Sequence, residues 1–342
     1  MLSGLLSEMR RFVASPDLAL DLGTANTRLY VHGHGVIADE PSVVRVSPET
    51  GSVESVGARA VRHGDALGKN VISPLHGGVI EDVEAASALL AALLRRARRP
   101  GLIRPRVLAC IPSDACDRER EALIEATRRA GASAVTLTPE PLAAAVGIGL
   151  DISLPYAQML VDIGDGVTDI AVIRSGSIVS SAAVRTACSD LIAAVRQNVA
   201  AHYGVALYQR EALRLIRHIG VGQRKLSSAP FVAAGADCRT GLLRRVPVNG
   251  QEVAEVIDPI VTTIVRAVGR AVKELPSDLA SEVIESGIHL TGGGAGLPGI
   301  ADLMAAETLL DVSLAREPMK AVIRGASRML RVGIATNVWR SE

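Results

Sequence analysis

Two aspartates, Asp21 and Asp162, close apolar runs and are followed at identical offsets by the same residue types. Gly23 matches Gly164, Thr27 matches Thr168, and Val31 matches Val172. The stretches "LALDLGTANTRLYV" and "LVDIGDGVTDIAV" each read as strand, glycine turn, strand. A turn of small residues lets backbone N–H groups approach an anion closely, and glycine permits the φ this needs. A carboxylate at the strand end can hold Mg²⁺, usually through water. The chemistry is that of a phosphate held with a metal. A D-x-G-x-x-x-T hairpin used twice implies two similar domains facing each other across a cleft.

A third element, "IHLTGGGAGLPGI", runs an apolar strand into Thr291, Gly292, Gly293, Gly294, Ala295 and Gly296, with a helix from about Pro298. A strand, glycine-rich turn and helix bring backbone against a nucleotide, although a purely close-packed turn uses glycine as well. After two paired hairpins, it reads as the loop on the adenosine side.

The elements that must position these turns are also legible. Val107–Ile111 reads as a buried strand, Arg118–Ala130 as a helix ended by Gly131, and Ala134–Leu137 as another strand. Pro139–Glu140–Pro141 opens a small-residue helix. Strands alternating with helices predict an α/β fold with covered sheets.

The 342 residues suffice for two domains with real cores, and 48% of them are hydrophobic, which argues against global disorder. A net charge of +1 gives no electrostatic case for nucleic acid as a partner. No apolar run reaches the roughly 20 residues of a membrane-spanning helix. Four cysteines without CxxC spacing, and no secretory signal, fit a reduced cytoplasmic chain.

The first thirteen residues, "MLSGLLSEMRRFV", place Leu2, Leu5, Leu6, Met9, Phe12 and Val13 on one helical face beside Arg10 and Arg11. Such a helix can dock on its own core or lie in the plane of a membrane. Its terminal position and scarce aromatic favour the anchor.

These landmarks together resemble the actin/Hsp70/sugar-kinase superfamily, and within it the MreB family of bacterial actins. The strings "DLGTANTRLYVHGHGVIADEPSVV", "PEPLAAAVG", "LTGGGAGLPGI" and "EPMKAVIRGASRML" carry the resemblance, which runs from about Asp17 to the C-terminal helices. It implies an actin-like, ribonuclease H-like α/β fold: two similar domains flank a nucleotide cleft, each with a smaller inserted subdomain. The implied segments are an N-terminal helix over 1–14, domain I over 15–152 with a small subdomain near 32–75, and domain II over 153–310 with one near 187–250. Residues 311–342 would pack back on domain I. The resemblance also implies filaments that bind ATP and Mg²⁺, lie on the inner face of the cell membrane and organise cell-wall synthesis and cell shape. Partners would be further copies of the chain, the membrane, the wall-synthesis machinery, or a second MreB.

Carried onto this sequence, Asp21, Gly23 and the Thr24–Ala25–Asn26 turn form the first phosphate site. Asp162, Gly164, Asp165, Gly166 and Thr168 form the second, and Gly292 to Gly296 lie beside the adenosine. Asp21 and Asp162 would hold Mg²⁺ through water. Glu140 matches the residue that positions the attacking water, a task suited to a carboxylate at a helix start; a charge there also simply suits the helix dipole. Leu102–Ile103 in "RRPGLIRPR" matches an apolar pair that dips into the membrane. The basic run 93–100 beside it suits anionic lipid or a solvated helix end equally.

The chain departs from the family pattern at the nucleotide. The family's D-I-G-G-G-T-T becomes "DIGDGVT", which sets Asp165 where a glycine stands and removes a hydroxyl at Val167. Two like charges about 4 Å apart repel by about 4 kcal/mol at an effective dielectric near 20 and by about 1 in bulk water, unless Mg²⁺ bridges them. Cys188–Ser189 replaces a Gly-Asp pair, with Asp190 as a shifted carboxylate. Leu213 and Ile216 replace an E-x-x-K beside the ribose; Glu211 and Arg214 keep a similar pair two residues earlier, about 200° around the helix. The expectation is therefore an MreB-like cytoskeletal protein with weakened ATP use. Its rival is a nucleotide-independent scaffold, and a phosphotransferase on the same fold lacks a further base. His32 and His34 read as turn residues rather than metal ligands, and no cysteine reads as a nucleophile.

Overall fold

The computed structural model describes residues 18–62, 70–97, 104–222 and 231–332. The expected N-terminal helix with Leu2, Leu5, Leu6, Met9 and Phe12, and the Leu102–Ile103 pair, lie outside these residues. Among the described residues no helix is long and apolar enough to cross a membrane.

The repeated hairpins open two five-stranded sheets of the same topology. In the first, strands follow the order 134–139, 106–111, 18–22, 26–31, 35–41. In the second, the order is 312–314, 288–291, 158–163, 168–174, 177–184. In each sheet the three strands that come first along the chain form an antiparallel meander, and the remaining two add in parallel through helical crossovers. Leu18–Leu22 is buried at every position, as a central strand covered on both faces must be.

Each half has its own apolar core. Leu20, Leu29, Leu89, Leu93 and Val107 belong to one, and Val161, Ile170, Val195, Ile257 and Ile264 to the other. A third cluster joins them: Ala19, Leu108 and Cys110 from the first sheet meet Leu160 and Ile173 from the second across Leu142, Ala144, Ile323 and Met329. The helices Glu140–Ile148 and Ala321–Val332 thus lie between the sheets. The helix Ala321–Val332 packs on strands 18–22, 26–31 and 106–111, so it returns the chain to the first half.

Two small sheets stand apart. One pairs 44–46 with 53–56 and 71–72; the other pairs 231–237 with 205–207 and 243–248. The second is carried by the helices Cys188–Tyr203 and Gly250–Lys273. His32 and His34 sit exposed in the turn between strands 26–31 and 35–41.

Candidate functional site

The two glycine turns meet. A Cβ on Gly166 would lie 2.5 Å from Thr24 Oγ1 and 2.8 Å from the Gly78 nitrogen, so only glycine fits there. Thr24 Oγ1 accepts from Gly78 N at 3.1 Å. The first turn is braced by Ser42, whose hydroxyl donates to the Gly23 carbonyl at 2.5 Å and whose N–H reaches Ala25 O at 2.9 Å. Ala25 is exposed at the tip, and Asn26 donates to Asp39 at 3.1 Å. The second turn is braced by the helix Cys188–Tyr203: Ser189 N donates to Asp165 O at 2.8 Å, and Thr168 donates to Thr186 O at 2.9 Å. The backbone at 165 is not left-handed, so the aspartate costs the turn nothing in conformation. Val167 is buried, with its Cγ1 close to where a Cβ on Gly78 would lie.

Beneath the turns lies a floor of acids. Asp21, Asp162 and Asp169 are buried, and Asp162 stands directly opposite Asp169 across its hairpin. In the first hairpin the matching partner of Asp21 is Arg28, which bonds Asp21 at 3.3 Å and Asp39 at 3.2 Å. Burial raises the Asp21 carboxyl despite Arg28. Burial and the carboxylates of Asp169 and Asp21 push Asp162 up to about 8. Asp169 is pushed to about 6 by burial, although Ser113 donates to it from N at 3.0 Å and from Oγ at 2.6 Å. Glu140, the first residue of its helix, is raised well above the usual range by burial and then by Asp169, Asp21 and Asp162.

This cluster is short of positive charge, and a divalent cation would supply it. Among the described residues no three acidic, histidine or cysteine side chains converge as direct ligands. Buried carboxylates spaced this way suit a hydrated Mg²⁺ held through water.

Asp165 interacts with a different acid. Burial lifts its carboxyl to about 6, and the charge that acts on it is Asp190, which caps its own helix through the Ala187 N–H at 2.8 Å. Cys188 is buried, and its thiol is pushed up to about 12 by burial, the opposite of an activated nucleophile.

The adenosine-side loop divides by role. A Cβ on Gly292 would lie 2.2 Å from Asp162 Oδ1, and one on Gly294 would lie 2.3 Å from Ile163 Cγ2. Those two glycines serve packing. Gly293 and Gly296 have nothing within 4 Å of such a Cβ and leave backbone open to a ligand. Ala295 is buried. Ile216 is a core residue at 1% exposure, and Leu213 packs partly buried on the same core. Glu211 and Arg214 pair at 2.7 Å, with Arg214 over the Phe231 ring, away from that loop.

The halves are also tied by contacts the sequence did not announce. Arg185 of the second half bonds Asp114 through two nitrogens at 3.1 and 3.2 Å, Glu119 at 3.2 Å and the Gly77 carbonyl at 2.8 Å. A cavity of about 480 Å³ opens beside it, with Asp190 and His76 in its wall. Asp169, by contrast, was detectable, because it sits seven residues after Asp162 as Arg28 does after Asp21.

The model of the MreB/Mbl protein family matches residues 15–336. The chain belongs to the MreB/Mbl family. It is 36% identical to the cell shape-determining protein MreB of Escherichia coli K12 over 330 residues, covering 94% of this chain and 95% of that protein. It is 34% identical to the cell shape-determining protein Mbl of Bacillus subtilis 168, covering 92% and 95%. Among solved structures, MreB5 of Spiroplasma citri bound to AMPPNP superposes with a TM-score of 0.82 at 30% identity, covering 93% of this chain and 97% of that one. A MamK double helical filament matches at 0.74 and 20% identity over 92% and 98%, a likeness of fold. The actin-like fold that the resemblance implied is therefore present, and the MreB and Mbl relatives are cell shape-determining proteins.

Proposed function

We propose that this MreB/Mbl chain forms cytoskeletal filaments on the inner face of the cell membrane, where they organise cell-wall synthesis and shape. We further propose that its cleft takes Mg²⁺·ATP, more weakly than it would with glycine at 165. The observation that carries the reading is the meeting of the turns Gly23–Asn26 and Gly164–Thr168 over buried acids that outnumber the arginine beside them, Arg28. MreB5, 30% identical, was solved with AMPPNP and with ADP, which supports an adenine nucleotide here. Bound ATP would supply a transferable phosphoryl group. Thr24, Gly164 and Gly166 would face its phosphates, Asp21 and Asp162 would hold hydrated Mg²⁺, and Glu140 would hold a water.

Assembly is supported by the two ends of the second half. The helix Gly250–Lys273 has 24 residues and spans about 36 Å. It begins where Tyr203 bonds Glu252 and ends where Lys273 approaches Glu307 at 3.8 Å. At the first end the hairpin tip exposes Leu242 (71%) and Leu243 (66%) beside Arg239 and Arg245. At the other, Ile284 (64%) and Leu309 (88%) stand beside Glu285 and Asp311. Apolar ends of opposite charge suit head-to-tail contact, which does not close and so builds filaments.

A second reading, a scaffold without an ATP cycle, is favoured by the Arg185 and Ser113–Asp169 ties, because they join the halves without a ligand. Pelleting with Mg²⁺·ATP and with liposomes separates the readings. The first expects nucleotide-dependent polymer, and loss of liposome cosedimentation on deletion of residues 2–13. Polymer indifferent to nucleotide supports the second.

A further inference from the structure

We infer that the loop between strand 106–111 and the helix Asp117–Arg129 is a strap that holds the two halves shut without a ligand, with Arg185 as the catch that must release before a ligand enters or leaves. The strap itself stands apart from the adenine-nucleotide reading; only the exchange rate it sets rests on that reading.

The strap continues a strand of the first sheet. Strand 106–111 pairs with Leu18–Leu22, and Pro112, which has no N–H to donate, follows its last residue. The next two residues both reach the other half. Ser113 donates to Asp169 Oδ1 from N at 3.0 Å and from Oγ at 2.6 Å, and Asp114 accepts two bonds from Arg185. Their targets are neighbours as well. Thr168 pairs with Val184 across strands 168–174 and 177–184, so Asp169 and Arg185 stand one residue to either side of that pair. Adjacent residues of one half thus grip adjacent strands of the other.

The catch is built for one guanidinium. Besides Asp114, Arg185 donates to Glu119 at 3.2 Å and to the Gly77 carbonyl at 2.8 Å. Glu119 is held in place by its own helix, because its carboxylate accepts from Cys116 N at 2.9 Å and closes the first turn. A planar fork that reaches two carboxylates and a carbonyl is a geometry lysine does not reproduce. The side chains of Arg185 and Asp114 are each 33% exposed, so water and salt reach the pair, as suits a contact that opens. Its place gives the consequence. Arg185, Asp114, Glu119 and Gly77 line the cavity of about 480 Å³ that also reaches Gly166. A ligand that approaches Gly166 through this cavity passes the catch.

The test is hydrogen–deuterium exchange of the Ser113 amide in the full chain without nucleotide, since that N–H is bonded across the halves. Arg185→Ala should speed its exchange about tenfold, the value of a charge-assisted hydrogen bond. Asp114→Ala should do less, because Glu119 and Gly77 remain, and the double variant should exchange no faster than Arg185→Ala. Arg120→Ala, which breaks the ion pair with Asp117 inside one helix, should change nothing. Added salt should speed exchange in the unmodified chain and not in Arg185→Ala. Unchanged Ser113 exchange in Arg185→Ala overturns the inference, as does an equal acceleration in strand Leu18–Leu22, which would make Arg185 a support of the whole fold. Stopped-flow mixing with Mg²⁺·mant-ATP then tests the gate: Arg185→Ala should take up and release the probe about tenfold faster, with Kd changed less than about threefold. Faster release without faster uptake overturns the gate, by making Arg185 a ligand contact. Binding by neither chain overturns the nucleotide reading alone, and the amide measurement still decides the strap.

Discussion

Gly147 and Gly325 let the two helices between the sheets touch backbone to backbone. A Cβ on Gly147 would lie 1.8 Å from Ala321 O, and one on Gly325 would lie 1.6 Å from Ala143 O. Each glycine meets the residue four before the other, so the contact is reciprocal and mirrors the twofold design of the fold. Arg328 reinforces it by donating to the Val146 carbonyl.

Alanine at either glycine must push the helices apart. Overpacking of this kind typically costs about 1–3 kcal/mol, and a clash with carbonyl oxygen belongs at the upper end. Gly147→Ala and Gly325→Ala should each lower the melting temperature by several degrees, and together should cost less than their sum, since one separation relieves both. Unchanged melting of either variant would mean that the helices cross more loosely than described.

The acidic floor should make the metal-free protein more stable as pH falls. Asp162 is held near 8, and Asp165 and Asp169 near 6, against 3.8 for an ordinary aspartate. Between about pH 4 and 8 the folded state therefore binds more protons than the unfolded one, so unfolding free energy drops as pH rises. Melting followed in chelator should show a higher midpoint at pH 6 than at pH 8. Asp162→Asn should flatten the 6–8 limb. Mg²⁺ competes with those protons, and its stabilising effect should grow with pH. A midpoint that rises from pH 6 to 8 in chelator would contradict the charge balance drawn for the floor.

Leu309 caps the helix Ile300–Thr308 in left-handed conformation, with φ of 59°, while 88% exposed. Glycine would hold that backbone with less strain, by about 1–2 kcal/mol. Leu309→Gly should therefore keep or raise the melting temperature yet increase the concentration needed for assembly, measured by light scattering. Assembly as strong as that of the unmodified chain would remove Leu309 from the contact.

The repeat was the most legible part of the molecule. Matched offsets after Asp21 and Asp162 foretold two sheets of one topology, because hairpin register follows local pattern. Gly292 shows the limit: besides its φ of 90°, what bars a side chain there is Asp162 and Ile163, about 130 positions earlier. The Arg185 tie and the Ser113–Asp169 bonds are likewise contacts between distant segments with no local signature. Asp165 was readable as a charge, but not its charge interaction with Asp190, which depends on how the helix Cys188–Tyr203 seats behind the turn. The structure also splits the run 292–296, where sequence offered five equal ligands, into glycines that pack and glycines that stay open.

On the proposed reading the cleft takes Mg²⁺·ATP and Asp165 weakens its binding. Calorimetric titration of ATP into the unmodified chain and into Asp165→Gly, with and without Mg²⁺, tests it most directly. The unmodified chain should bind measurably with Mg²⁺, the glycine variant more tightly, and the difference should be larger without the metal. The repulsion removed, about 1–4 kcal/mol, corresponds to roughly fivefold to several hundredfold in affinity. Failure of both proteins to bind, or glycine binding no more tightly in either condition, would contradict it.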